Sequence, residues 1–305
     1  MLYEITHRTG YVYSSDVSVS HHMARLTPRD LAFQKCLEHE ITFEPQASTA
    51  TQREDYFGNQ TTFFTVARPH RSLAIIARSR VEVRTREEIV SQETWPWEKV
   101  ARGDGDKLTP AIREFVFPST FIRRSPELTD YARESFAAKR PLLEAVLDLT
   151  RRIHGDFKFD PKATTIATPL EQVIRARRGV CQDFAHIQIG CLRALDLPAR
   201  YVSGYLETLP PPGKLKLTGS DASHAWVQVF IPPIGWVDFD PTNDLVPSER
   251  HITVAWGRDF DDVSPIRGVI VGGGKHELRV AVDVTPIKGV AGRETVFQQQ
   301  QSQQQ

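Results

Sequence analysis

Long hydrophobic runs are missing from this 305-residue chain, and the longest fall well short of the ~18 residues that a membrane span needs. Cysteine is scarce: Cys36, Cys181 and Cys191 are an odd number and too few for a disulfide scaffold, which predicts a reducing environment. Net charge is lacking as well, with 38 basic against 38 acidic side chains, so neither nucleic acid nor a membrane surface is expected as a partner. The opening Met1-Leu-Tyr-Glu-Ile-Thr-His-Arg8 has neither the basic start nor the apolar stretch of a secretory signal, and a cytoplasmic protein is expected. Gly272-Gly-Gly-Lys275 lacks the spacing of a phosphate loop and reads as a hairpin turn.

What is present is ordinary for a globular chain, 40% hydrophobic and 25% charged, with length enough for about two domains. Residues 1–86 alternate as half-buried strands do: Tyr3–Arg8, Gly10–Tyr13, Leu37–Phe43, Thr61–Val66 and Leu73–Arg84, with Gly58-Asn59-Gln60 as a turn. Asp55 and Asn59 read as turn formers. His21 and His22 point to opposite faces of a strand, so they cannot share a metal. A connector, 87–125, leads into helical patterns at Pro126–Ala138 (Ser125 as cap), Pro141–His154 (stopped by Gly155) and from Thr168. Strand patterns return at Ala199–Leu206, His224–Ile231, Trp236–Asp240 and Glu277–Val284. The core is expected over 126–290, and the Gln-rich 291–305 reads as a disordered tail.

One stretch organises the rest, Arg177-Arg-Gly-Val-Cys-Gln-Asp-Phe-Ala-His186 and its continuation to Leu197. Phe184, Ala185, Ile187, Ile189, Cys191, Leu192, Ala194 and Leu195 make a helix that is apolar on nearly every side, the pattern of a central buried rod. Gln182, His186 and Arg193 fall within about 40° of one another and predict a narrow hydrophilic edge. Cys181 heads this helix, where free N–H groups and the helix dipole favour a thiolate nucleophile. A metal held by Cys181, His186 and Cys191 fails because they fan out around one helix, so Cys191 reads as core packing.

Downstream, His224 opens one strand and Asp240 ends the next. A Cys–His pair oriented by a carboxylate is the minimal apparatus for acyl transfer through a thioester. Alternation puts His224, Trp226 and Gln228 on one face, and Trp236, Asp238 and Asp240 on one face of the neighbouring strand. If Ile231–Gly235 makes the connection, Phe230 pairs with Trp236 and Asp240 comes diagonal to His224; a connection one residue shorter would separate them. The longer connection is expected. The Cys181 N–H is one natural oxyanion donor, with Gln182, Trp226 and His154 as candidates for the second.

Arg178-Gly-Val-Cys-Gln-Asp-Phe-Ala-His186, Leu197-Pro-Ala-Arg-Tyr-Val-Ser-Gly-Tyr205, Ser223-His-Ala-Trp226 and Gly235-Trp-Val-Asp-Phe-Asp-Pro-Thr242 resemble the transglutaminase-like superfamily core, in particular its bacterial and archaeal branch. Tyr3-Glu-Ile-Thr-His-Arg-Thr9, Leu26-Thr-Pro-Arg29 and Asp55-Tyr-Phe-Gly-Asn59 resemble the β-rich N-terminal region that accompanies it. The resemblance implies an α+β fold: an N-terminal antiparallel β domain, then a papain-like core with the Cys helix packed on an antiparallel sheet. It implies Cys181 as nucleophile, His224 as base and Asp240, rather than Asp238, as third member, with no metal or other cofactor. Animal crosslinking enzymes carry Trp after the cysteine where Gln182 stands here. The expected activity is therefore a thiol hydrolase of the peptidase or amidase type on a protein or peptide substrate. Protein-glutamine amine transfer is the alternative, and an inactive interaction module using the β domain is a further one. The loop Glu207–Ser220 is expected to shape the cleft.

Overall fold

The computed structural model describes residues 1–86, 94–208 and 222–287, which leaves the tail and most of the Glu207–Ser220 loop outside the described residues. Five strands come first: β1 (Leu2–Ala24), β2 (Gln34–Glu44), β3 (Thr49–Glu54), β4 (Gln60–Val66) and β5 (His70–Val83). A helical stretch follows, with α1 (Trp97–Ala101), α2 (Pro110–Arg113), a 3₁₀ turn (Glu114–Val116), α3 (Pro126–Arg133) and α4 (Leu142–Asp156). The middle holds β6 (Lys158–Phe159), α5 (Leu170–Ala176), β7 (Arg178–Gly179) and α6 (Cys181–Ala194). The chain closes with β8 (Ala199–Leu206), β9 (Ala222–Ile231), β10 (Gly235–Phe239), β11 (His251–Gly257), α7 (Phe260–Val263), β12 (Ile266–Gly272) and β13 (His276–Ile287).

β1 is the spine of a seven-stranded antiparallel sheet. It runs unbroken through Gly10, where two separate strands were expected, because β5 pairs with it from Leu2 to Val12 and β13 from Leu2 to Tyr13. Beyond a bulge before Val17, β4 and β12 take over on the same two sides. The glycine run is therefore no hairpin turn. Gly272, Gly273 and Gly274 all have positive φ (93°, 86° and 62°), and that left-handed path carries the chain past the β1 bulge from one stretch of the same edge to the next. It also puts β12 and β13, expected within the core, on the N-terminal sheet.

The second sheet, in the order β10-β9-β8-β11, is antiparallel, and α6 lies across one face of it. Ile187, Ile189, Cys191 and Leu192 of α6 are fully buried with Val227, Val229 and Ile231 of β9. Helices α3, α4 and α5 wrap α6, as its all-round apolar pattern requires. Ser125 caps α3 by accepting from the Leu128 N–H, as expected. By contrast, α4 runs through Gly155 to Asp156, and α5 is preceded by Pro169, with Thr168 one residue too early to cap it. Among the described residues no helix is long and apolar enough to cross a membrane.

Strand β11, unread in the sequence, has an edge that meets no other strand among the described residues, and two side-chain amides cover it. Gln34 donates to the Thr253 carbonyl and accepts from its N–H, both at 2.8 Å. Asn59 does the same at Trp256, at 2.8 and 2.9 Å. Asn59 is thus a clasp between the sheets as well as a turn residue, held by the Asp55 carboxylate at 3.0 Å. Edge strands left open invite mispairing, and here the peptide groups of Thr253 and Trp256 on that edge have partners. Gln34→Leu and Asn59→Leu are each expected to lower unfolding free energy by about 1–3 kcal/mol. The readout is the denaturant midpoint at unchanged m-value; a wild-type midpoint would mean that this edge does not need its amides.

Candidate active site

Arg177 ends α5 with a left-handed φ of 52°, and the two-residue β7 then pairs with β6 and aims the chain into α6. Val180 stands at the N-cap with no side-chain acceptor to offer. The Asp183 carboxylate instead reaches back to the Val180 N–H at 2.8 Å and accepts from the Thr164 hydroxyl at 2.7 Å. Among the described residues, no side chain of the N-cap position accordingly caps the first-turn N–H groups beside Cys181.

The β9–β10 register is the one anticipated: Trp236 pairs with Phe230 and Asp238 with Gln228. It brings Cys181, His224 and Asp240 together. His224 Nε2 lies 2.8 Å from Asp240 Oδ2, and Cys181 stands close enough to the same imidazole to favour its protonated form. Both His224 and Asp240 are buried. Burial alone would push the His224 pKa down, but the hydrogen bonds and charges of Asp240 and Cys181 outweigh it and raise it to about 10. The Asp240 carboxyl is also penalised by burial, yet its bonds to His224, His251 and Asn243 hold it well below the usual carboxylate range.

Asp240 is saturated with donors. Oδ1 accepts from the backbone N–H of Thr242 (2.9 Å) and Asn243 (3.2 Å). Oδ2 accepts from His224, from Asn243 Nδ2 (2.8 Å) and from His251 Nε2 (3.0 Å). His251 escaped the sequence reading together with β11, although the alternation of His251-Ile-Thr-Val-Ala-Trp256 is a legible strand signal. His224, Asp240 and His251 offer three potential metal-ligand atoms within 4.8 Å of one another, but both Nε2 atoms are engaged with the one carboxylate.

Asp238 serves elsewhere. It accepts from Trp226 Nε1 at 2.6 Å and from Gln228 Nε2 at 3.1 Å, and it pairs with Arg86. Trp226 is therefore not free to be an oxyanion donor: its ring is fully buried and its N–H is spent. His154 is exposed at the end of α4, with Nδ1 2.9 Å from the Thr242 carbonyl. Gln182 is half-buried beside Cys181.

The hydrophilic edge of α6 is present but faces inward. Arg193 is buried against backbone carbonyls, while Gln188, far from that edge around the helix, donates to Thr150 at 2.8 Å. His186 accepts the Phe260 N–H at 3.2 Å and lies among Phe121 and Tyr201. Burial, with Arg193 nearby, lowers the His186 pKa to about 3, and burial lowers that of His7 to about 4. Both groups protonate near pH 6.5 when unfolded, so acid favours the unfolded chain. Their contribution is complete above 6.5 and is lost as pH falls toward 4 and below, each costing on the order of 3 kcal/mol. His224 acts in the opposite sense, with stability held below 6.5 and lost as pH rises toward 10. The thermal midpoint is thus expected to fall between pH 7 and pH 5; an unchanged midpoint would mean that the buried imidazoles reach solvent.

Comparison with known proteins agrees with this architecture. Residues 3–82 match the bacterial transglutaminase-like N-terminal region, and residues 129–241 match the transglutaminase-like superfamily. The chain is 42% identical over 301 residues to an uncharacterized protein of Mycobacterium tuberculosis, covering 95% of this chain and 94% of that one. It is 31% identical over 179 residues to a protein-glutamine gamma-glutamyltransferase of Pseudomonas aeruginosa, covering 56% of this chain and 27% of that protein. The fold is shared with the crystal structure of a candidate cysteine protease from Cytophaga hutchinsonii, with a TM-score of 0.75 and 23% identity over 95% of this chain and 92% of that one.

Proposed function

The chain belongs to the transglutaminase-like superfamily, and from that membership we propose that it is a thiol-dependent acyl-transfer enzyme acting on peptide or amide bonds, with hydrolysis favoured over transfer to an amine. The observation that carries this reading is the meeting at one buried imidazole of Cys181, which favours the protonated form of His224, and Asp240, whose Oδ2 lies 2.8 Å from His224 Nε2.

Cys181 attacks the carbonyl carbon as a thiolate, with the displaced proton held on His224. The tetrahedral oxyanion forms next to the uncapped first turn of α6, where the Cys181 N–H is one donor and Gln182 a candidate for the second. His224 returns its proton to the leaving amine, and a thioester remains on Cys181. Water, deprotonated by His224, then attacks the thioester and releases the acid. Asp240 holds the imidazole with Nε2–H toward itself, so that Nδ1 faces the sulfur, and it stabilises the imidazolium. Gln182, in the place of the Trp of animal crosslinking enzymes, supports water over an amine as the acceptor.

The test is acyl-enzyme trapping with a 4-nitrophenyl ester, read by intact-protein mass spectrometry. A single adduct that disappears in Cys181→Ala is expected. An unmodified wild-type protein, or an adduct that survives the substitution, would refute the thiol enzyme. Partition of the trapped acyl group between water and a fluorescent primary amine then separates hydrolysis from transfer, and a dominant amide product would reverse the preference stated here.

A further inference from the structure

We infer that His251 is a positioning residue of this site: by donating its Nε2–H to Asp240 Oδ2 from β11, it holds the carboxylate in the orientation that aligns His224 with Cys181. The inference rests on the acyl-transfer reading and adds a fourth residue to it.

The geometry argues from the donors on Asp240. Thr242 N–H, Asn243 N–H and Asn243 Nδ2 all come from the turn that Asp240 itself begins, so they move with it. Asn243 is exposed, which weakens its side-chain bond as an anchor. Besides His224, the group to be aligned, His251 is the donor among the described residues that comes from another strand, at the opposite edge of the four-stranded sheet from β10. His251 is 2% exposed, and its ring is set edge-on against Trp226, with centroids 5.2 Å apart. Trp226 is fixed in turn through Asp238, and there is room for its ring because residue 204 is Gly, where a Cβ would stand 2.5 Å from the indole.

The charge state suits the task. Asp240, His224 and Asp238 are the charged or titratable groups that act on His251, and the two carboxylates favour its protonated form. Burial outweighs them and keeps the imidazole neutral. Asp240 is held ionised and has no proton to give, so the shared proton belongs to His251 Nε2. A neutral donor fixes the carboxylate without setting a second cation beside the His224 imidazolium, which a Lys or Arg would do.

The experiment is iodoacetamide alkylation of Cys181 between pH 5 and 9, followed by peptide mass spectrometry on the full chain, with buried Cys191 as an internal monitor of unfolding. His251→Leu is expected to slow alkylation at pH 6 by about tenfold, the worth of one hydrogen bond to a charged group, and to move the profile toward that of a free thiol. His251→Gln, which returns an N–H near the Nε2 position, is expected to restore most of the rate. A wild-type profile in His251→Leu overturns the inference and leaves the enzyme reading standing. Equal losses in the Leu and Gln variants also overturn it, since packing rather than the N–H would then matter. If the Leu variant exposes Cys191, His251→Gln and His251→Asn decide: the shorter Asn withdraws the N–H, and matching profiles overturn the inference. Wild-type Cys181 that reacts like a free thiol would remove the enzyme reading first and this inference with it.

Discussion

Asp240→Asn is expected to slow acylation of Cys181 by about 10³–10⁴-fold, as befits loss of the correct imidazole tautomer in a nucleophile–base–acid triad, while the protein stays folded. Oδ2 of Asp240 receives three N–H donors and Oδ1 two, all of which a carboxylate can accept. An amide has one oxygen. Wherever it is placed, its NH₂ group meets at least two donors head-on. If the NH₂ lies toward His224 and His251, both rings must give up the proton on Nε2. His224 then carries its proton on Nδ1 and presents a donor, not a lone pair, to the sulfur, and the thiol has no base. The raised pKa of His224 should fall as well, because Asp240 supplies much of the stabilisation that offsets burial. Two measurements check this: the burst of nitrophenolate from a 4-nitrophenyl ester, and the pH profile of Cys181 alkylation. A burst rate within tenfold of wild type would remove Asp240 from the machinery and leave the Cys–His pair acting alone.

The parts of this site that could be read in the sequence are those whose spacing is local. Pro232-Pro-Ile-Gly235 between two alternating strands leaves few registers, and the one that pairs Phe230 with Trp236 also unites the buried faces, so Asp240 could be set beside His224 without coordinates. His251 could not be reached that way, because its partner lies across the sheet and no local spacing joins β11 to Asp240. The role of Trp226 failed for a related reason. Its face was assigned correctly, but the acceptor that takes its N–H, Asp238, is a cross-strand neighbour whose choice depends on side-chain rotamers. On the β domain, Gly10 and the Gly272–Gly274 run were read as local chain breaks. The first is ironed flat by partners on both sides of β1, and the second becomes a bend in an edge that stays paired. Helical periodicity placed Gln182, His186 and Arg193 on one edge of α6. It gave no sign that most of that edge meets carbonyls and aromatic rings instead of water, because periodicity carries no information about what packs on a face.

Arg193 is where that difference has the largest consequence for stability, and Arg193→Leu is expected to cost about 3–5 kcal/mol, the scale of breaking a buried charge network. The side chain is 1% exposed near the C-terminal end of α6, and its guanidinium is a bracket between elements. Nε donates to the Phe115 carbonyl at 2.9 Å, Nη1 to Ser119 Oγ at 3.0 Å, and Nη2 to the carbonyls of Ala199 at 2.9 Å and Arg258 at 2.6 Å. One residue thus ties α6 to the 3₁₀ turn, to the start of β8 and to the loop that leads into α7. Burial lowers its pKa to about 9, with Asp259 working against that, so the cation persists at neutral pH. Leu fills much of the volume but leaves three carbonyls and a hydroxyl without the donor they were folded around, each a buried group with an unmade bond. Lys would keep the charge yet reach only one or two of them, since it lacks the planar fork that spans four acceptors. The ordering expected in urea is therefore wild type above Arg193→Lys above Arg193→Leu. Cys181, at the far end of the same helix, should keep its alkylation profile in whatever fraction remains folded. A Leu variant as stable as wild type would show that the carbonyls recruit water or repair locally. A Leu variant that stays folded but loses Cys181 reactivity would show instead that the C-terminal anchor of α6 sets the position of its N-terminus, which would make Arg193 part of how the site is held.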